Sequence, residues 1–289
     1  MPNNITLFQK YVTLLDEVYQ QAAKTSVLDG DTSLIQAGAN ANEIIVPKID
    51  MDGLANYSRN GGYVDGETKF TNETVQFNYD RGRAFSVDAM DNEETAGMAF
   101  GKLSSEFIRT KVVPEMDAFR FATYAGTEEI GKGSGELADG SAVIAALRAA
   151  STSMDEAEVP SENRILFITP TLRGMIDDLD TTKSKAVLSK FSQVIEVPQS
   201  RFYTAVELFD GKSEGEEKGG YKKADEGKDI NFMIIHKPAI LQYTKHTVSK
   251  IISPQENQNA DAWKFPYRAY GLADSYENKA AGIYCHHKA

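Results

Sequence analysis

Residues 49–95 read IDMDGLANYSRNGGYVDGETKFTNETVQFNYDRGRAFSVDAMDNEET and contain the pattern that most strongly indicates the architecture. Glycines punctuate the first half, and two runs of alternating apolar and polar residues follow, at 75–80 and 85–88, separated by Arg81-Gly82-Arg83. Alternation with one apolar face predicts half-buried β-strands, so we expect a long polar hairpin. A hairpin with so thin an apolar stripe cannot bury enough surface alone. It therefore needs another surface to lie on, and a second subunit is a natural source of one.

The composition is that of a folded globular protein, because 41 % of the 289 residues are hydrophobic and 25 % are charged. The 31 Lys and Arg against 42 Asp and Glu leave a formal net charge of −11, which argues against non-specific nucleic-acid binding but allows a local basic patch. The single Cys285 excludes an intramolecular disulfide framework. No apolar run reaches the roughly 18 residues of a membrane span. The N-terminus MPNNITLFQK lacks a secretory-signal pattern, so the default expectation is a cytoplasmic protein.

Helical periodicity predicts two helices around the hairpin segment. Apolar residues recur at helical spacing over residues 5–24, and the small polar residues 31–42 favour an extended arm. The longest helix is predicted over residues 93–125. Pro114 should kink or restart this helix, and Gly126 should end it.

The next block alternates helix and strand. An apolar stripe over residues 143–154 predicts a helix, and the continuous apolar runs 165–168 and 232–235 predict central strands of one sheet. Thr169-Pro170 predicts a capped helix after the first of these strands. Residues 211–229 lack large aliphatic side chains and are highly charged, so they are predicted to be a solvated loop or insertion. The remaining chain is strand-rich, at 240–252, 263–276 and 283–287.

Residues that could carry chemistry do not form a complete motif. Gly126–Lys132 matches the start of a phosphate-binding loop, but Gly133 stands where Ser or Thr should hold magnesium, so a flexible connector is the favoured interpretation. Cys285-His286-His287 are adjacent on a predicted strand and point to opposite faces, so they should not converge on a metal. His236 is interpreted as a strand-end residue. An acidic cluster precedes the long helix and comprises Asp88, Asp91, Glu93 and Glu94. Acidic side chains are stabilised at a helix N-terminus, so this interpretation is preferred to a cation site. We therefore predict no catalytic residue, no metal and no cofactor, and a protein that is not an enzyme.

Several segments together resemble the major capsid proteins of tailed bacteriophages, which have the Hong Kong 97-like shell fold, and the pattern is most similar to that of phages of Gram-positive bacteria. Residues 49–95 resemble the extended loop of that fold and its lead-in, and KVVPEMDAFRFATYAG (111–126) resembles the end of its spine helix. The resemblance runs from about Ile44 to the C-terminus. Further segments resemble the compact axial domain and the closing strands, namely RILFITPTLRGMI (164–176), VIEVPQSRF (194–202), INFMIIHKPAI (230–240) and DAWKFPYRAYGLADSYENKAAGIY (261–284).

The resemblance implies an α+β shell fold with four parts. These are an N-terminal arm (1–45), an extended loop with lead-in strands (46–92), a peripheral domain with the spine helix and long strands (93–126 and 240–277), and an axial domain (127–239 and 278–289) that carries the charged insertion 211–229. Within them, residues 57–88 would form the extended loop that lies over a neighbouring subunit, and residues 93–125 would form the spine helix.

The implied function is assembly rather than catalysis. Pentamers and hexamers of one chain would close into an icosahedral capsid around double-stranded DNA, which the shell would contact non-specifically. A separate scaffolding protein and a portal protein are expected partners, a decoration protein is a further candidate, and no membrane is involved. The protein would be located in the virion capsid and assembled in the cytoplasm of the bacterial host, with its mature N-terminus at or near Met1. Candidate interface residues are Arg81, Arg83, Arg109, Glu115, Asp117, Arg120 and Arg268, for each of which ordinary solvated charge is an equal alternative.

Two other functions remain open at this level. One is an encapsulin-like cellular compartment, which shares the fold but encloses enzymes, and the other is an unrelated nucleotide-binding enzyme that uses the incomplete phosphate loop. Some shells of the family crosslink a loop Lys to an Asn of a neighbour. Lys69 lies in the loop, but no acid catalyst or acceptor Asn can be matched, so no crosslink is predicted.

Overall fold

The computed structural model describes residues 23–30, 36–37, 43–90, 105–179, 182–249 and 252–289. Helices and sheets are mixed along the chain, as expected for the α+β class. The helices are α1 (Val113–Gly126), α2 (Gly140–Glu156), α3 (Pro170–Asp177) and α4 (Thr182–Leu188). The strands are β1 (Gln36–Ala37), β2 (Glu43–Met51), β3 (Thr68–Gln76), β4 (Tyr79–Asp88), β5 (Gly131–Ser134), β6 (Arg164–Ile168), β7 (Gln193–Glu196), β8 (Val206–Leu208), β9 (Tyr221–Lys223), β10 (Ile230–His236), β11 (Ile240–Ser249), β12 (Ala262–Ser275) and β13 (Ile283–His287).

A five-stranded sheet with the order β5-β13-β10-β6-β7 lies at the centre of the largest core. The two apolar runs predicted to be central strands are β6 and β10, which pair antiparallel and are buried along their whole lengths. Alternate residues of β6 point to opposite faces, so Phe167 packs with Phe121 of α1 while Leu166 packs with Leu147 of α2. Helices on both faces therefore explain why these strands are continuously apolar rather than alternating.

The expected insertion at 211–229 is solvated along most of its length, yet it is ordered by a small hairpin. Strands β8 and β9 pair antiparallel, and residues 209–220, which are partly to fully exposed, connect them. The Asp210 carboxylate accepts bonds from the Ser213 hydroxyl (2.6 Å) and from the backbone amides of Lys212 and Ser213. These bonds lower the pKa of Asp210 to about 2. The charges thus organise a local turn in place of an apolar core.

A second sheet, with the order β11-β12-β4, is built on β12, the longest strand among the described residues. At about 3.3 Å per residue the 14 residues of β12 span roughly 45 Å. The expectation that Arg81-Gly82-Arg83 separates two strands is wrong, because all three residues lie inside β4, opposite 267–269 of β12. Gly82 is required for close strand approach rather than for a turn, since a Cβ there would lie 2.8 Å from the Tyr267 carbonyl oxygen.

The long hairpin lies earlier in the chain than the alternation suggested. It is formed by β2 and β3, which pair from Glu43–Gln76 to Met51–Thr68, and its tip is residues 52–67. Pro47 lies within β2 opposite Asn72. The strand tolerates a residue without an amide hydrogen there, because the described part of β1 pairs only with Ile44 and Ile45.

The predicted interruption of the long helix corresponds to a π-helical turn over Ile108–Val112, directly before α1. Pro114 occupies the first turn of α1, where its missing amide hydrogen costs least. The stretch 93–104 of the predicted helix, and the predicted helix 5–24 apart from its last two residues, lie outside the described residues. Helix α3 begins after Thr169 with Pro170 in its first turn, but the Thr169 side chain makes no capping bond, contrary to expectation.

Candidate functional site

The tip of the β2–β3 hairpin carries large apolar side chains that nothing in the described chain covers. Leu54 is fully exposed, Tyr63 is 88 % exposed and Val64 is 66 % exposed. The Tyr57 and Tyr63 rings contact each other with centroids 4.9 Å apart, which pre-orders part of the tip. Contiguous exposed apolar groups on a projecting element are typical of a protein–protein contact surface.

A buried polar cluster fastens the segment Ala23–Gly30 to the rest of the chain. We define it as Thr25, Asp117, Arg120, Arg201 and Gln242. Asp117, on α1, is fully buried, and its carboxylate accepts bonds from the Lys24 amide (3.0 Å), the Thr25 amide (3.1 Å) and the Thr25 hydroxyl (2.7 Å). Arg201 donates to the same carboxylate at 3.2 Å, so the negative charge is both paired and hydrogen-bonded.

The other half of the polar cluster joins this segment to β11. The Gln242 side-chain amide donates to the Thr25 carbonyl (2.7 Å) and to the Asp29 carboxylate (2.6 Å), and it accepts from the Tyr124 hydroxyl (2.7 Å). Arg120 donates to the Thr25 hydroxyl at 2.9 Å. The polar cluster therefore connects four parts of the chain: the N-terminal segment, α1, the 199–201 turn and β11.

Arg81 and Arg83 hold the charged insertion against β4. Arg81 pairs with Glu115 of α1 at 2.7 Å and reaches the Gly220 carbonyl at 3.4 Å, while Arg83 donates to the Glu217 carbonyl at 2.8 Å. Burial and the neighbouring Glu115 raise the pKa of Tyr79 well above its ordinary value. Between the insertion, β4 and the start of α1 lies an open groove of about 1460 Å³, lined among others by Arg81, Arg83, Phe107, Glu115, Tyr221 and Tyr267.

The seven residues predicted as interface candidates fall into three groups. Asp117 and Arg120 are buried in the polar cluster, and Arg81 and Glu115 pair with each other inside the chain. Exposed side chains remain on Arg83, Arg109 and Arg268. Arg109 pairs with Glu106 one helical turn earlier at 2.8 Å. Arg268 makes two bonds of 2.7 and 2.6 Å to Asp80, which lower the pKa of that carboxyl.

Three residues of the polar cluster were not predicted from the sequence, namely Thr25, Arg201 and Gln242. One signal was present for Gln242, which is a lone polar residue inside the apolar run Ile240-Leu241-Gln242-Tyr243. A polar side chain on an otherwise buried strand needs a partner, and the partners here come from segments more than 100 residues away.

Residues of the incomplete phosphate loop and of the Cys285-His286-His287 run contribute to packing. Lys132 lies in the edge strand β5, and a Cβ at Gly131 would collide with the Tyr284 ring, so Gly131 allows that ring to pack against the strand. Burial raises the pKa of the Cys285 thiol to about 12. His286 stacks on Phe232 with ring centroids 5.0 Å apart, and burial lowers its pKa. Across the described ranges, no three His, Cys, Asp or Glu side chains come together as a metal site.

None of the helices in the described ranges has the length and apolar character to cross a bilayer.

No protein-family model matches the chain, and no curated protein matches it by sequence. Solved structures do match. A structure of Mycobacterium phage Che8 has a TM-score of 0.59 at 12 % identity and covers 92 % of this chain and 91 % of its own. The capsid structure of Staphylococcus phage Andhra has a TM-score of 0.56 at 10 % identity, covering 91 % and 84 %. A virus-like particle from Pyrococcus furiosus has a TM-score of 0.57 at 10 % identity, covering 97 % and 99 %.

These matches extend over most of both chains, while the identities of 10 to 12 % are too low to indicate more than a shared fold. They agree with the mixed helix-and-sheet architecture and with the segments that resemble phage shell proteins. The chain therefore has the Hong Kong 97-like shell fold of tailed-phage major capsid proteins.

Proposed function

We propose that this chain is the major capsid protein of a tailed bacteriophage, a structural protein without enzymatic activity that assembles with copies of itself into an icosahedral shell around double-stranded DNA. The observation that carries the proposal is the near-complete coverage of both chains in the match to the Andhra capsid structure. The projecting β2–β3 hairpin with an uncovered apolar tip supports it independently, because a monomer gains nothing from such an element.

In this proposal the hairpin tip supplies the main apolar contact between subunits. Burying one large apolar side chain contributes about 1.5–3 kcal/mol before the costs of association are subtracted. Leu54, Tyr63 and Val64 together therefore make one modest contact. Because every subunit takes part in several such contacts, a closed shell is stable even when each contact is weak. The exposed Arg83, Arg109 and Arg268 are the proposed charged interface residues.

The proposed division of the chain follows its sheets. The β11-β12-β4 sheet and α1 form the peripheral part, the five-stranded sheet with α2 forms the axial part, and the β2–β3 hairpin is the extended loop. A scaffolding protein, a portal protein and a decoration protein are proposed partners. The net charge of −11 suits a wall that contacts packaged DNA without gripping it. The proposed location is the virion, after assembly in the host cytoplasm.

Electron microscopy of the overexpressed chain tests the proposal. We expect closed particles or capsomer rings, and we expect Leu54→Asp to abolish them while the circular dichroism spectrum stays unchanged. Ala149→Asp, on the exposed face of α2, is the matched control because it adds the same charge away from the tip. A folded monomer at high concentration would contradict the proposal.

The encapsulin-like cellular compartment is the less favoured alternative, because the similar solved structures include phage capsids such as that of Staphylococcus phage Andhra. A cellular compartment with this fold would enclose proteins instead of a genome. Nuclease-protected DNA in particles purified from the native source is expected for the capsid, whereas a protein cargo without DNA would favour the compartment.

A further inference from the structure

The outermost turn of the β2–β3 hairpin contains the sequence Asn60-Gly61. Two backbone bonds between Ser58 and Gly62 close the turn, at 3.2 and 2.8 Å, and residues 58–61 are all exposed. It is the only Asn-Gly pair in the chain. Loop tips of this kind tolerate chemical change because no packing holds their backbone.

The surroundings of the pair are open. A Cβ at Gly61 would meet nothing closer than the Ser58 hydroxyl oxygen at 3.5 Å and the Ser58 Cβ at 3.6 Å. The Gly61 amide donates only to that hydroxyl, at 3.2 Å, and not to a strand partner. Among the described residues, none makes a hydrogen bond to the Asn60 side chain. Only the bond to the Ser58 hydroxyl holds the Gly61 amide, so its nitrogen can approach the carboxamide carbon of Asn60 without displacing any packed side chain.

We propose that Asn60 is a site of spontaneous deamidation in the folded protein. The Gly61 backbone nitrogen loses its proton to solvent base and attacks the Asn60 side-chain carbon Cγ. A new C–N bond closes a five-membered succinimide, and the side-chain nitrogen leaves as ammonia. Water then opens the ring at either carbonyl, which gives aspartate or isoaspartate. The net reaction consumes one water and releases one ammonia, so solvent is the sole co-reactant.

Two Asp-Gly pairs of the chain are held more firmly than Asn60-Gly61. The Asp139 carboxylate caps α2 by accepting from the Ala142 amide at 2.7 Å, and a Cβ at Gly140 would collide with the Met175 carbonyl oxygen, so this pair is rigidly packed. The Asp52 carboxylate, at the base of the tip, accepts from the Glu67 amide at 2.8 Å. Both carboxylates are held in place, and each is also an anion, which is a poorer electrophile than the Asn60 carboxamide.

The product changes the charge of the apolar tip. Residues 52–67 carry three acids (Asp52, Asp65 and Glu67) and one base (Arg59), and deamidation adds a fourth negative charge. Burying an unpaired carboxylate against a neighbour is unfavourable. This consequence rests on the proposed function: aged free subunits would join the shell less well than fresh ones, and assembly would protect Asn60 by covering the tip.

Peptide mapping by mass spectrometry, with separation of aspartate from isoaspartate, tests the site itself. The full-length folded chain is incubated in mildly alkaline and in mildly acidic buffer, and the chain in denaturant serves as the positive control. We expect both products at position 60, faster in the alkaline buffer, and no isoaspartate at Asp139. Gly61→Ala should lose most of the reaction without a change in fold, because the added methyl group enters open space and hinders the attacking nitrogen.

Two outcomes would overturn the inference. One is an unmodified Asn60 in the folded chain under conditions that modify the denatured chain, and the other is a Gly61→Ala variant that reacts as fast as the parent. A second experiment compares the rate of modification at Asn60 in free subunits with the rate in closed particles. Slower modification in particles is expected, and equal rates would refute the protective role. If no particles form, the proposed function fails while the result at position 60 stands by itself.

Discussion

Replacing Asp117 by Asn tests whether the buried polar cluster holds the N-terminal segment. One carboxylate oxygen accepts from the Thr25 amide and hydroxyl, and the other accepts from the Lys24 amide and Arg201. In Asp117→Asn an NH₂ group replaces one oxygen and confronts two donors, so two bonds are lost. Each unsatisfied buried donor costs about 1–3 kcal/mol, and breaking a buried ion pair costs about 3–5 kcal/mol. Because Arg201 is partly exposed, we expect a loss of about 3 kcal/mol.

Urea unfolding followed through Trp263, the single tryptophan, measures that loss. Hydrogen exchange gives a local readout, since the Lys24 and Thr25 amides donate to Asp117 and should exchange faster in the variant. Asp177→Asn is the matched control. Asp177 pairs with Arg173 at 3.1 Å on the surface of α3, so its loss should cost less than about 0.5 kcal/mol. Equal costs for the two variants, or unchanged exchange at residues 24 and 25, would refute the role of the polar cluster.

Three further expectations concern single positions. Gly82→Ala should destabilise the chain by about 1–3 kcal/mol in urea unfolding, because the added Cβ would press on the Tyr267 carbonyl oxygen. Gly174→Ala, at an exposed position of α3, should instead stabilise the chain by up to about 1 kcal/mol. Equal effects of the two substitutions would contradict the packing argument. Burial lowers the pKa of His286 from its ordinary value of 6.5, so as the pH falls this imidazole is protonated in the unfolded chain before it is protonated in the folded chain. The stability that depends on neutral His286 should therefore be complete above pH 6.5, and the free energy of unfolding should decrease as the pH falls below that value. His286→Phe should make this decrease less steep when unfolding is measured across pH. Cys285, with a pKa near 12, should resist iodoacetamide in the native chain at neutral pH and react after denaturation, as intact mass would show.

Local sequence patterns predicted the segments in which all residues have similar surroundings, either buried or solvated. The runs 165–168 and 232–235 are apolar on both faces, and they are indeed central strands covered by helices on either side. The charged insertion was correctly expected to be solvated, because it has no apolar face to bury. The helix interruption at Pro114 followed from the missing amide hydrogen of proline.

The position of the hairpin could not be predicted in the same way. The alternating residues around Arg81-Gly82-Arg83 have the pattern of two short strands with a turn between them, and glycine is as typical of a turn as of a close strand crossing. Pairing with the distant β12 selects the second alternative, since β4 runs straight through Gly82. The less patterned residues 43–76 form the hairpin instead.

The sequence alone indicated a mixture of helices and strands, the two central strands, the solvated insertion and a projecting element in need of a partner. It did so because hydrophobic periodicity reports which faces are buried. Only the tertiary structure revealed that Asp117 and Arg120 are internal, that Arg81 pairs with Glu115, and that the exposed apolar groups gather at residues 51–70. A charged side chain has the same appearance in a sequence whether solvent or a buried partner satisfies it. The partners of Asp117 lie more than 80 residues away along the chain, so only the folded backbone brings them together.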